Sequence, residues 1–196
     1  MTDMLLNLTS ENICYFKNFH HALRENPRID TVLKTPRCTV LKVKFFGDKK
    51  RIAFSLSNGL LIIYNSIDYL VQKVIVSKHA ILDSIKLVED KFLITAGIDP
   101  KIRVWNIETE KAITKFQVHQ FSTIFLVCHK DCIFSYGFDM KLAKYNFKSK
   151  SLDSFLEIQT RMTALKLLKT PTEDSKHKLA AAFITGEIIL YDLNLN

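Results

Sequence analysis

Two sets of side chains in this sequence have the types that acyl transfer requires: Thr95, His79 and Asp99, and again Ser135, His119 and Asp139. Where a hydroxyl, an imidazole and a carboxylate meet in line, the imidazole takes the hydroxyl proton and the carboxylate orients the ring. Such a set works as a hydrolase only if substrate can reach the hydroxyl. A third chemical candidate is CHKDC at 128–132, where Cys128, His129 and Cys132 offer thiolate and imidazole, both good zinc ligands. Its spacing is not that of a zinc knuckle and no second pair of cysteines completes it, so both cysteines read as small apolar residues flanking a turn. No metal and no cofactor is expected, and the glycines form no phosphate-binding loop.

The two triad-like sets are copies of each other. The stretch HAILDSIKLVEDKFLITAGIDPKIRVWN, 79–106, recurs without a gap as HQFSTIFLVCHKDCIFSYGFDMKLAKYN, 119–146. His79 falls on His119, Thr95 on Ser135, Gly97 on Gly137, Asp99 on Asp139 and Trp105 on Tyr145, each pair 40 positions apart. Self-similarity at a fixed period of this size marks a repeat architecture. Inside the unit, SIKLV, KFLITAG and KIRVWNI are rich in β-branched and aromatic residues and are parted by VEDK and GIDPK. They read as strands joined by tight turns, and KAITKFQV supplies a fourth strand. Each unit is therefore a four-stranded meander.

His79, then Thr95, Gly97, Asp99 and Trp105 followed by Asn106, resemble the WD40 repeat, which usually reads GH, then S/T, G, D and WD. The resemblance implies one β-propeller blade per unit. It also implies a structural role for His79, Thr95, Asp99 and Trp105 and for His119, Ser135, Asp139 and Tyr145. In WD40 blades the aspartate holds the histidine, the histidine holds the hydroxyl, and the hydroxyl accepts from the indole N–H. A buried chain of this kind stabilises when every member is satisfied. Tyr145 replaces the indole by a phenol, which keeps a donor but shifts its reach.

Laid along the whole chain, the period gives units at 39–76, 77–118, 119–158 and 159–196, with 1–38 as a possible partial blade. In the N-terminal segment SENICYFK and RIDTVLK read as strands, and Pro27 and Pro36 mark loops. The first unit has Phe54 and Asn58 where the hydroxyl and aspartate stand elsewhere, with Tyr64 in the tryptophan position, so it relies on apolar packing. The fourth places Tyr191 and Asp192 at the WD position, carries the polar insertion KTPTEDSKHK, and stops before a fourth strand. The fold class expected is all-β: WD40-like blades of four antiparallel strands in an incomplete or open propeller. Proteins of this kind generally close a ring with about seven blades. Three arrangements follow: a piece of a longer propeller, an arc completed by a partner or a second copy, or a small ring closed by the strand at 28–34.

Composition narrows the function. The chain of 196 residues is 47% hydrophobic and has no apolar run able to span a bilayer, and its start lacks the basic region of a signal peptide. Four cysteines do not suggest a disulfide framework, so an intracellular address, cytoplasm or nucleus, is expected. The reading is a non-catalytic scaffold for protein–protein interaction within a multi-subunit complex, through loop-lined faces or exposed strand edges. Self-association is a further possibility. A net charge of +8 motivates an alternative, a nucleic-acid-associated subunit of an RNA-processing or modifying complex. Its basic residues gather at Lys34, Arg37, Lys42, Lys44, Lys49, Lys50 and Arg51. The third alternative, a hydrolase, requires Thr95 or Ser135 to be exposed.

Overall fold

A computed structural model describes residues 39–68, 70–79, 84–169 and 177–195. The segment 1–38, with the strands expected in SENICYFK and RIDTVLK, lies outside the described residues, as does most of the insertion after Leu168. Among the described residues fifteen strands run β1 Val40–Phe45, β2 Arg51–Leu56, β3 Leu60–Asn65, β4 Val71–Val76, β5 Ser84–Val88, β6 Phe92–Ala96, β7 Lys101–Asn106, β8 Ala112–Gln117, β9 Thr123–His129, β10 Cys132–Gly137, β11 Lys141–Asn146, β12 Ser151–Glu157, β13 Met162–Leu168, β14 Lys178–Phe183 and β15 Ile188–Tyr191. They form antiparallel meanders of four, four, four and three strands. The repeat is thus one sheet per unit, and the four sheets are open rather than joined into one barrel.

Matched pairs recur from blade to blade. Ile52 pairs with Tyr64, Leu93 with Trp105, Ile133 with Tyr145 and Leu179 with Tyr191. A register shift between the third and fourth strands recurs just before the aromatic residue, at Ile63/Tyr64, Val104/Trp105 and Lys144/Tyr145. Such bulges are built-in features that bend and twist a strand. Here they fall beside the same bulky ring each time.

Because side chains alternate across a strand, every blade has two faces. One, called here the leading face, holds Ile52, Phe54, Ile62 and Tyr64 in the first blade and their register partners in the others. The trailing face of the first blade, with Ala53, Leu61 and Ile63, packs on the leading face of the second, with Leu93 and Trp105. Ile94, Ile102 and Val104 pack in turn on Ile133 and Tyr145. Phe134, Tyr136 and Leu142 pack on Leu179 and Ala181. Among the described residues three interblade cores therefore hold the stack, each touching only neighbours.

The two ends of the stack differ. On the leading face of the first blade Ile52, Phe54, Ile62 and Tyr64 are all buried. On the trailing face of the fourth blade Ala180 and Ala182 are half-buried, and Ile188 and Leu190 are 71% and 54% exposed. One end is closed and the other open.

Candidate functional site

The second blade brings its four expected residues together. The Asp99 carboxylate accepts from His79 Nδ1–H. His79 Nε2 lies 2.9 Å from Thr95 Oγ1, and Trp105 Nε1–H donates to that hydroxyl at 3.0 Å. With Nδ1 carrying the proton, Nε2 must accept, so the hydroxyl donates to the ring and the indole donates to the hydroxyl. Proton donors thus point one way along the whole chain, from indole to carboxylate.

Arg103 joins this blade, and the sequence reading missed it. Its Nη1 donates to Asp99 Oδ2 at 2.8 Å and lies 2.8 Å from His79 Nδ1. Alternation in KIRVWN puts Arg103 on the same face as Trp105, which was the available signal. The matched residue in the third blade is Ala143, paired with Ser135 as Arg103 pairs with Thr95.

In the third blade His119 Nδ1–H donates to Asp139 at 3.0 Å, and Ser135 donates to His119 Nε2 at 2.8 Å. The backbone N–H of Gln120 supplies a further donor to Asp139 at 3.0 Å. Gly137 leaves the room this needs: a Cβ there would meet the His119 ring at 2.6 Å and Asp139 Oδ1 at 2.7 Å. Tyr145 departs from the expectation that it replaces the indole as a donor. Its ring stacks on Phe116 with centroids 3.5 Å apart and makes no hydrogen bond to Ser135.

The in-line order of hydroxyl, imidazole and carboxylate is that of a hydrolase, but access is not. Thr95 and Ser135 are 0% and 1% exposed, sealed between blades. The exposed hydroxyl that a hydrolase would require is found at neither position, and that alternative falls. In the first blade Phe54 and Asn58 stand in the matched positions, and Asn58 Oδ1 accepts from the Leu60 backbone N–H at 3.2 Å.

Burial lowers the pKa of both His79 and His119 from the ordinary histidine value of about 6.5, outweighing the opposite pull of Asp99 and Asp139. Both rings are therefore neutral in the fold near pH 7, whereas the unfolded chain protonates them as pH falls below 6.5. The unfolded state then binds more protons, so stability rises with pH through this window and is lost on acidification. Urea unfolding at pH 7.5 and pH 5 should show the loss, and a His79→Gln, His119→Gln double variant should show a flatter profile. An equal pH dependence in the variant would place the titration elsewhere.

Cys128 and Cys132 lie on opposite faces of their hairpin, since Cys132 pairs with His129 and Cys128 with Ile133. Cys128 borders the core between the second and third blades, and Cys132 the core between the third and fourth. They cannot share one ion. Burial pushes the Cys128 thiol up to about 12, far from the thiolate a metal needs. Of the expected basic cluster, Lys34 and Arg37 lie outside the described residues, and Arg51 is paired with Asp48 at 2.7 Å.

No protein family matches the sequence, and no curated protein does. Solved structures match the fold. Sqt1 of Saccharomyces cerevisiae superposes with a TM-score of 0.72 at 14% identity, over 84% of this chain and 48% of that one. The RRP9 WD40 repeats give 0.66 at 13% identity, over 82% and 53%. The computationally designed Ika4 protein gives 0.68 at 13% identity, over 81% and 94%. The chain spans about half the length of the first two and nearly all of the third. At these identities the likeness establishes the fold, an open stack of WD40-type blades.

Proposed function

We propose that this protein is a non-catalytic scaffold that docks other proteins on one rim of its blade stack, as a subunit of a larger assembly. The observation that carries the reading is a row of exposed apolar side chains at matched positions in three successive blades. Ile98, Phe138 and Ile184 each sit in the turn between the second and third strands and are 54%, 58% and 67% exposed. Phe121, exposed in the loop that leads into β9, lies on the same rim, where the Phe138 backbone N–H donates to the Ser122 carbonyl. Turns that could be polar at no cost are apolar here. Large exposed apolar residues that recur in one place mark interaction surfaces. Rigid strands hold these turns at fixed spacing, which suits recognition of a folded protein or an extended peptide. WD40-repeat structures share the architecture, which supports the scaffold reading.

A photo-crosslinking residue placed at Phe138 in the full chain, within cells, tests the proposal. A discrete heavier adduct is expected from position 138 and not from Ser149, on a turn at the opposite rim. Adducts equal from both positions, or none, would overturn it, and an adduct of twice the chain mass would replace partner proteins by self-association.

A further inference from the structure

The first strands of the four blades line the concave side of the stack, where β1 neighbours β5, β5 neighbours β9 and β9 neighbours β13. Their sequences are VLKVKF, SIKLV, TIFLVCH and MTALKLL, which carry four lysines and no carboxylate. Register places three of these lysines at one level. Lys44 pairs with Ala53, Lys86 with Ile94 and Lys166 with Ala180, and the matched residue of the third blade is Val127, paired with Phe134. Lys42 stands two pairs further along β1, opposite Ser55.

These ammonium groups feel one another. Burial is the main reason the charged form of Lys86 is disfavoured, and Lys44, Lys166 and Lys42 disfavour it further against an opposite pull from Cys128. Among the described residues no ion pair engages Lys44, Lys86 or Lys166, although the chain forms such pairs readily elsewhere, as at Lys148–Asp131 and Lys141–Glu157. Lys44 and Lys86 are half-buried and Lys166 is exposed; gathering like charges there costs stability, and the cost falls when an anion sits among them. A lysine ammonium is a compact point charge with three donors, suited to phosphate oxygens approached from several directions.

We propose that the concave inner side at Lys44, Lys86 and Lys166 is a binding site for a compact polyphosphate. Compactness follows from the layout: three charges from three blades meet at one level, rather than following a path that a polymer would track. The site is independent of the rim that carries the scaffold reading, and it stands whether or not that reading does.

Calorimetric titration of the full chain with inorganic tripolyphosphate tests it, alongside thermal unfolding with and without the anion. Binding is expected, weakening at least tenfold in a Lys86→Gln, Lys166→Gln variant. The tripolyphosphate-free variant should melt no lower than the parent, because it loses repulsion rather than a contact, and it should lose the rise in melting temperature that tripolyphosphate gives the parent. A control variant, Lys49→Gln with Lys50→Gln, should bind as the parent does. No binding, binding unchanged by Lys86→Gln with Lys166→Gln, or loss in the control variant would each overturn the site. Tighter binding of single-stranded RNA than of tripolyphosphate, weakened equally by both pairs of substitutions, would replace the site by a diffuse basic surface.

Discussion

Asp99→Ala is expected to destabilise the fold by about 3 kcal/mol or more, whereas Asp139→Ala should cost roughly 1–3 kcal/mol. The two aspartates occupy the same place in successive blades, yet they neutralise different things. Asp99 accepts from both His79 and the Arg103 guanidinium, and Arg103 is only 9% exposed. Removing Asp99 strands a buried cation against a buried ring. Asp139 accepts from His119 and from the backbone N–H groups of Gln120 and Lys141, all neutral donors. Urea unfolding of the two variants gives the comparison directly. The cycle closes with Asp99→Ala, Arg103→Met, which should recover part of the loss because it removes the uncompensated charge as well. Equal losses for Asp99→Ala and Asp139→Ala, with no recovery in the double variant, would show that Arg103 does not depend on Asp99.

Phe134→Ala should cost about 3–5 kcal/mol, the range for deleting a fully buried ring. Phe134 is fully buried between the third and fourth blades, in the cluster with Tyr136, Leu142, Leu179 and Ala181. Its loss weakens one interblade core and leaves the other two untouched. Since blades contact only their neighbours, the fourth blade should loosen first. Hydrogen exchange read by mass spectrometry should therefore accelerate in β13–β15 before it does in β1–β8. Uniform acceleration along the chain would mean that the stack opens as one unit. Phe121→Ala, on an exposed ring, is the matched control and should change stability by less than about 0.5 kcal/mol.

The fold was legible in the sequence because the repeat is. His79 and His119, with everything between each and its aromatic partner, keep one spacing, so a single alignment yields strands, turns and the hydrogen-bonded sets at once. The first blade needed no such set to be recognised, since LLIIYN still places Tyr64 opposite Ile52. Arg103 was legible by alternation but was overlooked, because the repeat has Ala143 in its place and the pattern drew attention to what the units share. The lysines of the inner strands were hidden for the opposite reason. Lys44, Lys86 and Lys166 are spaced 42 and 80 positions apart with Val127 between, so they become equivalent only once strand pairing supplies the register. The rim was half visible: Ile98 and Phe138 align in the sequence, but nothing in an apolar turn residue says whether it faces a core or water.

The two end faces of the described stack are unlike. A blade face that fits its neighbour is a template for head-to-tail polymerisation, and a repeat protein with both end faces bare would elongate into fibres whenever the rotation failed to close. Among the described residues Ile188 and Leu190 on the trailing face of the fourth blade are exposed, while Ile52, Phe54, Ile62 and Tyr64 on the leading face of the first are buried. The face that is exposed and the face that is buried therefore do not present matching sets of free apolar side chains to one another.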